Sequence, residues 1–357
     1  MILFAFKEMH FGGGAEKNLI EVALHVAQRH SVGFYIGGGH VDPRMTAAGP
    51  VFVMPGRGRF WAAPLDLLHL AWIVLRHRVQ LMHAHHRYPA FMATVLRKLL
   101  RFKLITTVHN RFPDRAKASL WGDRAIAVSE DIAQWMRVEC GTPPALIRTI
   151  HNGIADPGVH SEAQRAGLRR SCQVPAGATV ICAVGRLSEQ KNFGQLFDAL
   201  ADLKRDDWVL LLVGEGEQGD QLRAHATRLG LEPQVRFLGR RTDVSLIMQS
   251  SDLLAMSSLW EGFPYVVIEA LANRLPLVAA DVGGVREGVI EGHTGWLVPK
   301  ADTLAFSKAL RRAVDAPSER GRMSAEGRRL FEQRFLVGAM LAQLDEEFEA
   351  LLTARKR

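Results

Sequence analysis

Short apolar runs of strand length alternate with longer stretches of helical periodicity almost from end to end of this chain, and the alternation runs through its cycle twice. When a helix separates each strand from the next, neighbouring strands cannot form tight hairpins, so the pattern demands parallel sheets covered by helices. In the first half the strand candidates are ILFAF (2–6), VGFYI (32–36), VFVMP (51–55), VQLMHAH (79–85), KLITTVH (103–109), AIAVS (125–129) and LIRTIH (146–151). A polar segment carrying Gly and Arg, residues 155–178, breaks the rhythm. It restarts with TVICAVG (179–185), WVLLLVG (208–214), VRFLG (235–239), DLLAMSS (252–258) and LPLVAAD (275–281). The expectation is an α/β protein of two Rossmann-like, doubly wound parallel-sheet domains, residues 1–160 and 161–337, facing each other across a cleft. Open sheets of this kind bind ligands at the carboxyl ends of their strands. The final stretch, MLAQLDEEFEALLTARKR, is amphipathic with no strand after it. It either closes the second domain or returns to the first.

Composition bounds the rest. With 357 residues, 48% of them hydrophobic, the chain is long enough for two separate cores. No run reaches the roughly 18 uncharged apolar residues of a spanning helix, and MILFAF leads into Lys7 and Glu8 without a cleavage-like pattern, so a soluble cytoplasmic protein is expected. Cys140, Cys172 and Cys182 are an odd, scattered set that reads as reduced thiols. The net charge of +8 lies in the first half, where residues 1–155 carry 19 Lys and Arg against 10 Asp and Glu, while the remainder carries 26 against 27. That favours an anionic partner such as a membrane surface, a phosphorylated acceptor or nucleic acid, against the plainer reading of a solvated surface; once the motifs below are weighed, no nucleic acid is expected. Within it, RYPAFMATVLRKLLRFK (87–103) clusters Arg97, Lys98, Arg101 and Lys103 beside an apolar face. It is either a peripheral contact with anionic membrane or an ordinary helix with a solvated basic side. PLDLLHLAWIVLRHR (64–78) is too short to span and reads as a core helix.

Three motifs can carry chemistry. After the first strand, HFGGGAEKNL places Gly12, Gly13 and Gly14 before a helix with Glu16 in its first turn, and such a turn either is merely tight or lets backbone N–H groups meet a phosphate. The spacing is not G-x-G-x-x-G, which disfavours a nicotinamide site. GRLSEQKN follows the first strand of the second half, so Arg186 and Lys191 leave a strand end together and can converge on a diphosphate. SSLWEGFPYVVIEALAN supplies Glu261 in a loop, Pro264 at a helix start and Glu269 in the second helical turn. On one continuous helix these carboxylates would stand about 12 Å apart, so they read as two contacts on one elongated ligand, with Gly262 and the helix N-terminus between. The bland alternative makes Glu261 a complement to the helix dipole and Glu269 a surface residue.

Together GRLSEQKN, VGEGE, VRFLG and SLWEGFPYVVIEALANRLPLVAADVGGVRE resemble the donor half of family 4 glycosyltransferases, retaining enzymes of the GT-B fold with an E-x7-E motif. FGGGAE, HAHH, TVHN, AVSE and IHNGI fit the first half in order. The resemblance implies that a nucleotide-sugar donor meets Gly13, Gly14, Arg186, Lys191, Asn192, Gly239, Arg240, Glu261, Gly262, Phe263, Pro264 and Glu269. Arg186 and Lys191 would hold the diphosphate, Glu269 the ribose and Glu261 the transferred sugar, with His109 of TVHN near that sugar. It implies, too, that residues 338–357 pack back on the first domain. A glycan or lipid-linked acceptor would belong to the first half, at His83, His85 and Asn110. Strand alternation puts His83 and His85 on one face and His86 on the other. No D-x-D occurs and no cofactor or metal is expected, the cation's part falling to Arg186 and Lys191. Two rival functions remain open from sequence: a sugar-nucleotide epimerase of the same fold, and a non-catalytic sugar or nucleotide binder.

Overall fold

The structure, a computed structural model, describes residues 1–9, 13–112 and 121–353. Gly12 of the glycine turn lies outside the described residues. The chain divides into two compact units, Met1–Asn152 together with the chain from Gly338 onward, and Gly153–Val337. Each unit holds one parallel sheet.

In the first unit β1 (Ile2–Phe6), β2 (Val32–Ile36), β3 (Val51–Val53), β4 (Leu81–Ala84), β5 (Lys103–Val108), β6 (Arg124–Ala127) and β7 (Ile147–Thr149) lie in the order β3-β2-β1-β4-β5-β6-β7. The helices are α1 (Gly14–Ala27), α2 (Pro43–Ala48), α3 (Ala63–Arg76), α4 (Arg87–Leu96) and α5 (Glu130–Val138). In the second unit α6 (Glu162–Ser171), α7 (Phe193–Ala201), α8 (Gly219–Arg228), α9 (Val244–Gln249), α10 (Tyr265–Ala272), α11 (Thr303–Asp315) and α12 (Pro317–Arg334) cover six strands. These are β8 (Thr179–Val184), β9 (Trp208–Val213), β10 (Val235–Gly239), β11 (Leu253–Met256), β12 (Leu277–Ala280) and β13 (Gly295–Val298), in the order β10-β9-β8-β11-β12-β13. β1, β2 and β9 are buried along their whole length, which is why they read as continuous apolar runs instead of alternating ones.

Strand order reverses between β1 and β4 in one sheet and between β8 and β11 in the other. At such a switch point the two flanking loops turn away to opposite faces and leave a crevice beyond the strand ends. Residues 7–9, Gly13 and His85–His86 therefore flank the first crevice, and residues 185–192 and 257–264 the second.

On one face of the first sheet Leu3, Ala5, Met82, Ala84 and Leu104 form a core with Leu70, Ile73 and Val74 of α3 and with Ala90, Ala93 and Leu96 of α4. On the other, α13 (Val337–Thr353) buries Met340, Leu344, Phe348 and Leu351, and Phe348 meets the His83 ring at 5.4 Å. Polar ties reinforce it: Asp345 takes His25 and Arg29, Glu347 takes Arg124 and Arg148, and Asn18 Nδ2 reaches Met340 Sδ.

Three departures from the sequence expectation have plain causes. The segment 155–178 contains α6, which opens on a Ser161 capping box and belongs to the second unit. β13 is only GWLV, too short and unbroken to show a period. α3 is no core helix: it buries Leu70, Ile73 and Val74 but leaves Leu65, Leu68, Trp72 and Leu75 exposed, because apolar residues occupy both of its faces. Among the described residues no helix is long and apolar enough to cross a membrane.

Candidate functional site

At the second switch point the structure joins the two sequence motifs. Lys191 closes a short helical turn, Glu189–Lys191, after β8, and its Nζ lies 2.5 Å from Glu261 Oε1 in the loop after β11. Both side chains are largely buried. Two further bonds fix the loops to each other: Leu259 N donates to Gln190 O at 2.8 Å, and Ser257 Oγ donates to Lys191 O at 2.9 Å. Gln190 Nε2 donates to Trp260 O at 2.8 Å and approaches Glu261 Oε2 at 3.4 Å. Sequence reasoning passed over Gln190, although its place between Arg186 and Lys191 in GRLSEQKN was the available signal.

Arg186 is exposed and follows Gly185, where a Cβ would come within 3.2 Å of Lys191 Cε, so the loop that carries the guanidinium passes close to the buried ammonium. Pro264 is the N-cap of α10, not its first residue, because its ψ of 132° is extended, and it brings no side-chain acceptor to that helix end. Glu269 sits in the second turn, partly buried. The Phe263 ring is buried against Phe335 at 5.2 Å, so what this residue has to offer a ligand is its backbone. Behind Glu261, Gly283 has φ +54° and a Cβ there would come within 2.0 Å of Glu261 O, so DVGG closes on the carboxylate loop only as glycine. Asn192 is left-handed at φ 51° and starts α7. Gly239 is likewise left-handed, and Arg240 N lies 3.4 Å from Glu215 Oε1 of VGEGE.

In the first unit Gly13 is the N-cap of α1 and Gly14 its first residue. The Glu16 carboxylate folds back so closely that a Cβ on Gly13 would lie 2.1 Å from Oε2, so the protein's own anion already occupies this helix N-terminus. Beyond the strand ends His85 Nδ1 and His109 Nε2 are 3.1 Å apart with rings nearly parallel, and the His83 and His85 rings are 4.1 Å apart. A pocket here is lined by His85, His86, Thr106, Thr107, His109 and Asn110 among others, and His85 Nε2 has no partner among the described residues. His83 corrects an assignment: it is fully buried, bonded to Thr107 Oγ1 at 2.8 Å and packed on Phe4 and Phe348, so it supports the pocket from behind and does not line it. His86 accepts from Tyr88 N and caps α4.

Burial sets the charge of this cluster. It pushes His83 and His109 down to about 3, His86 to about 4, and His85 well below its ordinary value, with the crowding of the imidazoles on one another, and for His86 the charges of Lys7 and Arg87, adding to the effect. Near pH 7 all four are neutral imidazoles, suited to hydrogen bonds with hydroxyls more than to pairing with phosphate.

Over 98% of its length the chain superposes on 99% of Anabaena HepE, solved in complex with UDP-glucose, with a TM-score of 0.86 at 24% identity. Two doubly wound parallel sheets joined in this way define the GT-B class of fold. Residues 165–330 match Glycosyl transferases group 1, and residues 12–156 match Glycosyltransferase Family 4. The chain belongs to the family 4 glycosyltransferases. It is 26% identical to the N-acetyl-alpha-D-glucosaminyl L-malate synthase of Bacillus anthracis over 70% of this chain and 69% of that protein. To the lipopolysaccharide core biosynthesis glycosyltransferase LpsE of Rhizobium meliloti it is 33% identical, over 44% of this chain and 46% of that protein. The match thus spans just under half of the Rhizobium protein.

Proposed function

We propose that this glycosyltransferase moves a sugar, with retention, from a UDP- or GDP-sugar to a glycan or lipid-linked acceptor in the building of cell-surface polysaccharide or lipopolysaccharide, on the cytoplasmic side of the membrane. The observation that carries it is the buried Lys191–Glu261 pair at the switch point, with Arg186 exposed on the same loop as Lys191. An arriving diphosphate competes with Glu261 for Lys191 and recruits Arg186. Glu261 is thereby released toward the transferred sugar, and Glu269 takes the ribose hydroxyls. The uncapped N-terminus of α10 offers backbone N–H groups to the phosphates.

The bond from the sugar's anomeric carbon to the diphosphate breaks as one from the acceptor oxygen forms on the same face. The acceptor proton passes to the departing phosphate, so no protein nucleophile and no metal is required, and catalysis rests on positioning and on charge stabilisation by Lys191 and Arg186. The neutral His85–His109 pair and Asn110 supply hydrogen bonds to sugar and acceptor hydroxyls. Anabaena HepE's UDP-glucose supports the donor class, and the Rhizobium relative supports the product class. Screening UDP-, GDP- and ADP-sugars for slow hydrolysis by the purified protein tests this. Hydrolysis of one donor class, lost in Lys191→Ala, is expected; epimerised donor without transfer would overturn it.

A further inference from the structure

The exposed face of α3 has no counterpart in the chemistry above. Within Ala63–Arg76 every exposed residue is apolar except Arg76: Pro64, Leu65 (56%), Leu68 (70%), Trp72 (52%) and Leu75 (64%). With Trp61 (77%) just before the helix, they recur at steps of four and three, which places them in one ridge about 21 Å long. The ridge widens sideways, since Phe60 packs on Phe91 of neighbouring α4, whose Val95 is also exposed, and Leu99 follows at 81%. A contiguous apolar surface of this kind on a folded domain marks an interaction site.

Charge identifies the occupant. Between residues 53 and 80 the only acid is Asp66, fully buried and consumed by bonds from Gly56 N and Tyr88 Oη. Around the ridge stand Arg57, Arg59, Arg76, Arg78, Lys98 and Arg101, all exposed and without an anionic partner among the described residues. Arg97, by contrast, is held by Asp123 at 2.6 Å, and Lys103 opens β5, so the basic cluster of the sequence reading loses two members and gains four. α3 and α4 each lead into adjacent parallel strands and so run side by side in one direction. That gathers Arg76 and Arg78 with Lys98 and Arg101 at one end, while Arg57 and Arg59 flank the other.

The geometry points to a monotopic docking surface in which α3 lies in the interface of a bilayer bearing anionic headgroups, Trp61 and Trp72 at headgroup depth and the six cations on the phosphates. A second copy of the chain is disfavoured, because a two-fold interface would set these six cations against themselves. The choice of lipid rests on the lipid-linked acceptor above, but the binding is read with neither donor nor acceptor present, so each proposal fails independently.

The test is co-sedimentation of the full chain with vesicles of phosphatidylcholine alone or with 30% phosphatidylglycerol. Wild type is expected to bind the anionic vesicles at least tenfold better and to be released by high salt. Leu68→Glu with Trp72→Glu, and separately Arg76→Glu with Arg78→Glu, should each weaken binding at least tenfold while circular dichroism and melting stay at wild-type values. Wild type remaining in the supernatant with both vesicles, or variants binding as well as wild type, would overturn the proposal. So would a lipid-free dimer that the Leu68→Glu and Trp72→Glu variant dissolves.

Discussion

At the scale of the residue, the Lys191–Glu261 pair has a mixed character that can be measured. Two charges taken largely out of water stabilise each other only while both are present, and removing one strands the other. Lys191→Ala is therefore expected to cost about 1–3 kcal/mol of stability beside its loss of activity, since among the described residues the Glu261 carboxylate keeps the Gln190 contact at 3.4 Å in place of an ammonium. Lys191→Ala combined with Glu261→Ala should restore part of that loss, giving a coupling of about 0.5–3 kcal/mol in urea unfolding. Strict additivity of the two single variants would show that the pair is too hydrated to matter. Ligand binding separates the glutamates: Glu269→Ala should weaken nucleoside diphosphate affinity about tenfold or more, whereas Glu261→Ala lowers turnover more than that affinity. Equal nucleotide affinity for wild type and Glu269→Ala would remove Glu269 from the ribose.

At the scale of the element, the ends of β4 and β5 gather four histidines that the fold keeps neutral, and this links stability to pH. The folded values of His83, His86 and His109, about 3 to 4, lie below the ordinary 6.5, and burial holds His85 well below it too, so as pH falls through 6.5 the unfolded chain takes up protons that the folded chain refuses. Stability is full above 6.5 and is lost on the way down. At about 1.4 kcal/mol per pH unit for one histidine, His83, His86 and His109 each contribute a loss of roughly 2 kcal/mol between pH 6.5 and 5. Aspartates held low by arginine, such as Asp156 and Asp243, act only below the ordinary carboxylate range and leave this window to the imidazoles. Urea midpoints at pH 7.5 and 5 should fall steeply in wild type and less steeply in His83→Gln with His109→Gln; parallel slopes would show that the cluster is hydrated. The sequence placed these residues correctly on strand ends because strand alternation is a local rule. It assigned His83 to the pocket because nothing local tells a strand's side chain whether Phe348, over 250 residues later, will cover it. α3 failed for the complementary reason: Leu65, Leu68, Trp72 and Leu75 look like core residues, but the helix turns its other apolar face, Leu70, Ile73 and Val74, to the core and leaves them outside. Lys191 and Glu261 were legible as motifs, but their mutual bond depends on β8 and β11 being neighbours, which follows from strand order and not from spacing.

At the scale of the whole molecule, the course of the chain has a consequence for folding. The first unit is interrupted by the second and completed only by α13, so during synthesis the second unit has all its strands before the first has its last helix. Until α13 docks, His83 lacks the cover of Phe348, and Arg124 and Arg148 lack Glu347. Phe348→Ala should cost about 3–5 kcal/mol, the usual price of emptying a phenylalanine site in a core, and the loss should fall on the first unit. Deleting residues 338–357 carries the argument further. Hydrogen exchange should then show β1 and β4 losing protection while β8, β9 and β11 keep theirs, because the second sheet draws its core from residues 181–323. A nucleoside diphosphate at a hundred times its dissociation constant should still stabilise the second unit of this truncated chain by about 2.7 kcal/mol if its contacts lie on Arg186, Lys191 and Glu269. Equal loss of protection in both sheets would mean that the two units unfold as one and that α13 supports the whole chain.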